Sequence, residues 1–490
     1  MPDPADPKEQ EISLDPESWD AYRSLAHAAL DEAIDFVRTV RERPVWQPVP
    51  ESVRQHFRQP VPVEGQGFAQ TYRDFREWIL PYATGNVHPR FFGWVHGTGT
   101  PTGIVAALLA AAMNSNCGGR DHGALYVECG VIDWCKQLFG YPESASGLLV
   151  SGTSMATLVA LTAARNASQR YSVRREGLHA PAKLIAYASS EAHESVAKAL
   201  DIIGVGSACL RAVPVRAGLE MEIGAVRGMI EEDRSSGRQP FCLIGSAGTV
   251  NTGSIDDLAG LAAIAAEEKI WFHVDGAFGA LCVLSDDLRP LVKGIEQADS
   301  IAFDFHKWMH VQYDAGCVLM KSADIHQQAF SMRPPYLAGA DRGLAGGTPW
   351  FCDFGPELSR AFRALKVWFA IKEHGTAHLG RLIKQNCEQA RYLADRIRQK
   401  PRLELLLEPP LNIVCFRFRG DQGNSFDLDR LNLEIVADLQ ESGIAAPSTT
   451  RVFGKLAIRV NVTNHRSRRG DFDILLDAVM EAGNRRSIPE

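Results

Sequence analysis

Two segments of the sequence combine residues that could bind an anion or an aromatic ring. Thr153 and Ser154 follow the apolar run 147–151 and open an alanine-rich stretch with helical spacing. Backbone N–H groups at a helix start favour anions, although Ser and Thr are also ordinary helix N-caps. His193 falls in the first turn of a later helical stretch, where an imidazole either caps the helix or stacks on an aromatic ligand. Both interpretations stay open for each segment.

A third segment places a carboxylate where a flat ring could bind. Asp275 ends the apolar run 270–275, and Gly276 and Ala277 follow it and leave room for a ring. A buried carboxylate is costly unless it is paired. A protonated ring nitrogen would pair with Asp275, and a helix cap or a structural ion pair is the alternative.

The fourth segment contains a possible nucleophile. Lys307 follows another strand-like run, together with Asp304 and His306. An amine among apolar neighbours is desolvated, which favours the neutral form that attacks a carbonyl carbon. A single lysine is more commonly a solvated surface residue. All four segments follow the ends of predicted strands, and this shared position predicts that they form one common site.

The elements that must position these residues alternate between strands and helices. This pattern predicts an α/β fold with a mostly parallel sheet covered by helices on both faces. Ligands of such sheets bind beyond the carboxyl ends of the strands, where the four segments lie. The predicted strands are 147–151, 183–187, 209–215, 241–246, 270–275, 300–303 and 317–320, and the predicted helices between them include 155–170, 194–203 and 256–268.

Three domains are predicted from the change of pattern along the chain. Residues 1–85 have helical spacing and no strand, so we expect them to pack on another body such as a second subunit. Residues 86–375 form a large α/β domain, and residues 376–490 form a small α+β domain. The elements predicted outside the large domain are helix 18–41, helix 377–399, strand 411–418, helix 427–442, strand 455–462 and helix 471–482.

The composition excludes several classes of function. The formal net charge of -7 over 490 residues argues against a nucleic-acid partner. The longest apolar run, 103–113, is too short to cross a membrane. The N-terminus has neither the basic nor the apolar region of a secretory signal. Ten cysteines without a CxxC pair predict reduced thiols, no metal site and a cytoplasmic location.

In this order and at these strand ends, the segments resemble the group II pyridoxal phosphate (PLP)-dependent amino-acid decarboxylases. That family includes the aromatic-L-amino-acid, glutamate and histidine decarboxylases. The resemblance is strong over residues 70–375 and weak in the C-terminal part. Its most specific motifs are His-Pro-Arg-Phe-Phe-Gly at 88–93, Gly248-Thr249 with Gly253 and Asp256, His-Val-Asp-Gly-Ala at 273–277, Asp299-Ser300, His-Lys-Trp at 306–308, and the helix motif at 362–369.

The resemblance implies a fold-type-I homodimer with its active site at the subunit interface, and residues 1–85 that embrace the partner. It implies that PLP is held as a Schiff base on Lys307, that Asp275 pairs with the pyridine nitrogen and that His193 stacks on the ring. Many members have Asn where this chain has Asp304, although Asp also occurs among bacterial relatives. The other residues expected at the cofactor are Thr249 and Ala277 around the ring, and Thr153, Ser154, Asp304 and His306 near the phosphate and the Schiff base.

The resemblance also implies decarboxylation of an L-amino acid, with Tyr336 in the loop 331–340 as the proton donor. A tyrosine flanked by Pro and Gly could equally pack there. Trp94, His96 and Asn116 are the expected substrate residues, and they lie where the family has a more aromatic and aliphatic lining. The substrate therefore stays open, with aromatic amino acids as one candidate class.

Three other functions are compatible with parts of the pattern. The first is an aldehyde synthase, against which Tyr336 in place of Phe argues. The second is another fold-type-I activity such as aminotransfer or carbon–sulfur cleavage, which would lack the long His-Pro-Arg-Phe-Phe segment. The third is an inactive PLP-binding regulator, against which the intact Lys307, Asp275 and His193 argue.

Overall fold

The structure is a computed structural model that describes residues 13–178, 183–332, 340, 342–347, 349–420 and 427–487. The chain forms two compact units. The first contains the residues up to Arg43 together with Pro48–Thr84, and the second contains Pro44–Gln47 together with the residues from Gly85 onward. In the described part of the chain, no helix is both long and apolar enough to span a lipid bilayer.

The first unit is helical, and none of its described residues lies in a strand. Ser18 caps its longest helix by accepting a hydrogen bond from the Ala21 N–H at 3.3 Å. Glu32 of the same helix accepts a hydrogen bond from Tyr72 and pairs with Arg76 at 2.9 Å, which ties distant parts of the unit together. The α-helices of this unit are α1 (Trp19–Arg38), α2 (Glu51–His56) and α3 (Phe68–Asp74), and π-helical residues Phe75–Ile79 continue α3.

The second unit contains two sheets and the remaining helices. The strands are β1 (Phe91–Phe92), β2 (Ser146–Val150), β3 (Leu184–Ser189), β4 (Leu210–Val213), β5 (Gln239–Ser246), β6 (Trp271–Asp275), β7 (Ser300–Asp304), β8 (Gly316–Met320), β9 (Leu403–Leu407), β10 (Ile413–Phe418), β11 (Ala446–Val452) and β12 (Lys455–Asn461). The α-helices are α4 (Pro101–Met113), α5 (Gly123–Phe139), α6 (Thr153–Ser168), α7 (Val173–Glu176), α8 (Ser195–Ile202), α9 (Ile223–Ser235), α10 (Leu258–Glu268), α11 (Phe305–Trp308), α12 (Ala323–Phe330), α13 (Arg363–Arg398), α14 (Leu428–Glu441) and α15 (Arg469–Arg486).

The larger sheet has seven strands in the order β2-β8-β7-β6-β5-β3-β4. Strand β8 runs antiparallel to both of its neighbours, and the other adjacent pairs are parallel. Apolar residues of α5, α6 and α10 share one buried cluster with the sheet, and most of its strands are continuous apolar runs. The predicted α/β fold class is confirmed, and each of the seven predicted strands is present within a few residues of its predicted bounds.

The smaller sheet joins distant parts of the chain. Strands β11, β12, β10 and β9 are antiparallel in that order, and the two-residue β1 adds to β11 in parallel. Helices α13, α14 and α15 pack their apolar faces on this sheet. Helix α13 is interrupted at Gly375, where φ is 69° and ψ is 152°. Both sheets belong to the second compact unit, and the domain boundaries at residues 85 and 375 stay predictions.

Candidate active site

A cavity of about 480 Å³ lies at the carboxyl-end edge of the larger sheet. Ser246, Asp275 and Asp304 are the last residues of three adjacent parallel strands, and all three line the cavity. The start of α6, which follows β2, completes this edge. The cavity is therefore at the place where sheets of this kind bind their ligands.

Eleven of the thirteen residues predicted for the site line this one cavity. They are Trp94, His96, Thr153, Ser154, His193, Thr249, Asp275, Ala277, Asp304, His306 and Lys307. Asn116 is not among the lining residues. Its side-chain oxygen accepts hydrogen bonds from the backbone N–H groups of Gly118 and Arg360, both at 3.0 Å. Tyr336 lies outside the described residues, so its role and that of Asn116 stay predictions.

Lys307 lies on the one-turn helix α11 and contacts a buried carboxylate. Its Nζ atom is 3.1 Å from Oδ2 of Asp304. The other oxygen of Asp304, Oδ1, accepts a hydrogen bond from the Thr153 backbone N–H at 2.7 Å. Asp304 therefore connects the candidate nucleophile to the N-terminus of α6.

His306 makes a second contact to the same carboxylate. Its Nδ1 atom accepts a hydrogen bond from the Ala315 backbone N–H at 3.1 Å, so the neutral ring carries its proton on Nε2. That Nε2 atom is 3.5 Å from Oδ2 of Asp304. Burial lowers the pKa of His306, although the neighbouring Asp304 acts in the opposite direction. A neutral imidazole thus faces the carboxylate beside Lys307.

Asp275 has fewer partners than Asp304. Its Oδ1 atom accepts one hydrogen bond, from the Ala277 backbone N–H at 3.3 Å. Burial raises the pKa of Asp275, and electrostatic interactions with Lys307 and His193 only partly oppose that rise. A buried carboxylate with so few partners is strongly stabilised by a cation that a ligand brings. A protonated ring nitrogen is a ligand group of this kind.

His193 and Thr249 are held by local hydrogen bonds. The Nδ1 atom of His193 accepts a hydrogen bond from the Ser195 N–H at 3.1 Å and lies 2.8 Å from the Ser195 hydroxyl. The Thr249 hydroxyl accepts a hydrogen bond from the Ser254 N–H at 3.1 Å.

Gly248, next to Thr249, has a φ of 91°, and a Cβ atom there would lie 2.8 Å from the ring of Phe278. Only glycine fits at that position.

The N-terminus of α6 has the features of an anion site. Sixteen residues of aligned peptide dipoles begin at Thr153. The Thr153 hydroxyl is buried and has no hydrogen-bond partner among the described residues, although buried hydroxyls normally have one. A phosphate group would satisfy both. The cavity thus fits PLP, with an anion site at α6, an acceptor for the ring nitrogen at Asp275 and an amine at Lys307.

Arg459 and Tyr313 line the cavity but were missed by the sequence analysis. Arg459 lies on β12, and burial lowers its pKa to about 10. It donates hydrogen bonds to the carbonyl oxygens of Gly93 at 2.8 Å and Asn251 at 3.1 Å. The ring of Tyr313 is 4.3 Å from that of His306, and burial raises its pKa to about 12. No sequence signal connects the strand of Arg459, which belongs to the smaller sheet, to the strand ends of the larger sheet.

Known proteins are similar to this chain over nearly its whole length. The family model described as the pyridoxal-dependent decarboxylase conserved domain matches residues 50–419. The aromatic-L-amino-acid decarboxylase of Bacillus atrophaeus is 32% identical over 454 residues, which cover 92% of this chain and 93% of that protein. The aromatic-L-amino-acid decarboxylase of Sus scrofa is 30% identical, covering 84% of this chain and 87% of that protein.

A solved structure gives the same result for the fold. The crystal structure of Oryza sativa TDC with PLP and tryptamine has a TM-score of 0.90 and 25% identity, covering 97% of this chain and 100% of that chain. The family match and these relatives show PLP as the cofactor and amino-acid decarboxylation as the reaction, and they do not favour the aldehyde synthase. The chain belongs to the pyridoxal-dependent decarboxylase family.

Proposed function

We propose that this enzyme decarboxylates an L-amino acid with an aromatic side chain, that the product is the amine, and that Lys307 bears the cofactor. The observation that carries the proposal is the meeting of Lys307, Asp275 and His193 in one cavity at the strand ends. The aromatic substrate is supported by Trp94 and Phe278 in the lining, and by the similarity to aromatic-L-amino-acid decarboxylases.

Bound PLP supplies an electron sink for the electrons left when the carboxylate departs. In our proposal Asp275 keeps the ring nitrogen protonated, because a buried carboxylate is stabilised by a cationic partner. Thr153 and Ser154 hold the phosphate at the N-terminus of α6. His193 stacks on the ring. Thr249 and Ala277 pack around it, and Asp304 and His306 lie beside the lysine.

Arg459 is our candidate for holding the substrate carboxylate. Its guanidinium lines the cavity and is already fixed by backbone carbonyl oxygens, including those of Gly93 and Asn251. A cation held in this way needs no rearrangement to bind an anion. A carboxylate in a fixed position keeps the bond that breaks in one orientation, which is what selective loss of carbon dioxide requires.

We propose Trp94 and His96 as substrate residues and Tyr336 as the proton donor. Trp94 and His96 line the cavity, and burial and the charge of Lys307 lower the pKa of His96. A neutral imidazole can donate a hydrogen bond to a polar side chain or accept one from it. The role of Tyr336 rests on the sequence alone. A phenol delivered by a loop can protonate a carbon and exclude water.

We propose a homodimer, supported by apolar surface on each unit. In the first unit, Trp19 and Phe57 are exposed to 60% and 59%. In the second, four exposed apolar residues at positions i, i+3, i+4 and i+8 of α4 share one face of that helix. They are Val105, Leu108, Leu109 and Met113. Apolar surface of this extent is typical of a face that another protein covers.

We also propose a cytoplasmic location. All ten cysteines are free thiols, and most of them are buried. Proteins that keep many cysteines unpaired are typical of reducing compartments. Fractionation of the native cells, with detection of the protein in each fraction, is the direct measurement.

An amino-acid screen tests the proposed reaction. The PLP-loaded enzyme should release carbon dioxide and an equal amount of amine from at least one of tryptophan, tyrosine, phenylalanine and dihydroxyphenylalanine. Lys307→Ala is the control and should release neither. Turnover of non-aromatic amino acids alone would remove the aromatic assignment. Carbon dioxide with aldehyde and ammonia in place of amine would identify an aldehyde synthase instead.

A further inference from the structure

Asp304 is positioned to control Lys307. It is the last residue of β7 and is 2% exposed. One of its oxygens accepts a hydrogen bond from the Thr153 N–H, and the other is 3.1 Å from Nζ of Lys307. Hydrogen bonds between a buried carboxylate and an ammonium group are about twice as strong as neutral ones. The lysine is thus held as an ion pair.

Other titratable groups line the cavity with Lys307, but none of those described forms a direct ion pair with it. His96 and His306 both line the cavity, and burial together with the positive charge of Lys307 lowers the pKa of each. Both rings are therefore neutral near pH 7. Asp275 is the other carboxylate of the lining, and in the described part of the chain the ion pair of Lys307 is formed with Asp304. The direct contact of Lys307 is thus with Asp304, while Asp275 interacts with the lysine only electrostatically.

An ammonium group cannot attack a carbonyl carbon. To load the cofactor, Lys307 must first lose a proton. The free amine nitrogen then bonds to the aldehyde carbon, the aldehyde oxygen leaves as water, and the resulting carbon–nitrogen double bond takes up a proton again. The net reaction of an ammonium group and an aldehyde gives a protonated Schiff base and water. The total charge is the same before and after the reaction, so the carboxylate affects mainly the rate at which the Schiff base forms.

We propose that Asp304 is a positioning residue that holds Lys307 as an ion pair whenever the lysine is not bonded to the cofactor, and that it thereby slows capture of the aldehyde. The inference rests on the proposed role of Lys307 as the cofactor lysine. Its consequence is a gain of function. Removal of the Asp304 charge makes the lysine react faster, whereas the loss of a structural residue would make it slower.

The test follows labelling of Lys307 in the full-length protein freed of cofactor. Pyridoxal without the phosphate is added near pH 7, borohydride stops the reaction at timed intervals, and peptide mass spectrometry quantifies the label. Asp304→Asn keeps an oxygen that can accept the Thr153 N–H. We expect it to label Lys307 faster by on the order of tenfold, the effect of one charge-assisted hydrogen bond. The phosphate-free probe separates this effect from repulsion between Asp304 and a phosphate.

Two further variants make the result interpretable. Asp304→Ser also keeps an acceptor without a charge, and should show the same acceleration. Asp314→Asn removes a carboxylate that pairs with Arg363 at 3.0 Å and does not line the cavity. It should label at the wild-type rate. Equal or slower labelling of Lys307 in the folded Asp304 variants would overturn the inference. A label on another lysine in all four proteins would instead overturn the proposed role of Lys307.

Discussion

At the scale of single residues, the surroundings of three buried carboxyl groups separate their roles. Asp304 faces a cation and a backbone N–H. Asp256 accepts hydrogen bonds from the backbone N–H groups of Ser246 and Met221, both at 2.7 Å. Asp275 has one backbone hydrogen bond at 3.3 Å and a pKa raised by burial. Of the three, Asp275 gains most from a cationic ligand.

The first prediction concerns the charge of Asp275. Asp275→Asn keeps the size of the side chain and removes the charge that would hold a ring nitrogen protonated. We expect PLP to remain bound while turnover falls by at least two orders of magnitude, because the electron sink depends on that proton. Cofactor content and carbon dioxide release measure the two effects separately. Retention of most activity would show that the carboxylate is structural.

The second prediction concerns Tyr336, which lies outside the described residues. Tyr336→Phe removes only the hydroxyl. If this phenol protonates the carbon that has lost carbon dioxide, the variant should form less amine and some aldehyde, because that carbon then reacts with oxygen. Product analysis in air, with the wild type as control, is the measurement. An unchanged amine yield would mean that Tyr336 is not the donor.

At the scale of elements, close backbone contacts fix the cavity walls. A Cβ atom on Gly97 would lie 1.7 Å from the carbonyl oxygen of His306, which precedes the lysine. We predict that Gly97→Ala lowers the free energy of unfolding by about 1–3 kcal/mol and weakens PLP binding. Gly130→Ala is the control, since nothing lies within 4 Å of a Cβ there. It should stabilise helix α5 by up to about 1 kcal/mol. Equal stability of the two variants would contradict the contact.

Asp256 gives a prediction about pH. Burial raises its pKa to about 6, above the ordinary value of 3.8. The folded state therefore binds the proton of the Asp256 carboxyl group more tightly than the unfolded state does. The stability that this proton provides is complete below about pH 4. That stability is lost as the pH rises from about 4 to about 6, by at most about 3 kcal/mol.

Denaturant unfolding of wild type and Asp256→Asn over this pH range isolates the contribution of Asp256. The stability of the wild type relative to the variant should fall as the pH rises, because the amide of the variant does not titrate. A relative stability that is flat or that increases with pH would show that Asp256 is not protonated preferentially in the folded state.

The sequence predicted most elements that have a local pattern, although the leucine-rich strand β9 was missed, and it also missed elements that depend on distant partners. Six of the seven strands of the large sheet are buried apolar runs, and strand ends marked the site residues, whereas β4 is only partly buried. Strand β1 has two residues and exists because Phe91 pairs with Ala446, which no local pattern encodes. Strand β11 is polar over much of its length and was missed. The strand of Arg459 was predicted, but Arg459 was missed as a site residue because that strand reaches the cavity only through the packing of the small sheet.

At the scale of the whole molecule, the exposed apolar face of α4 predicts association. Leu108→Glu with Met113→Glu places two charges on that face. We expect sedimentation to show monomers and turnover to fall at least tenfold, because a buried unpaired charge is costly at an interface. Ile474→Glu is the control, as Ile474 is 44% exposed on α15. A wild type that is monomeric and active would contradict the proposed homodimer.

The measurement that tests the central claim most directly is the identity of the lysine that bears PLP. The PLP-loaded wild-type enzyme is reduced with borohydride and digested, and the modified peptide is sequenced by mass spectrometry. We predict a single pyridoxyl group on Lys307. A label on any other lysine, including the largely buried Lys366, would contradict the assignment of the active site.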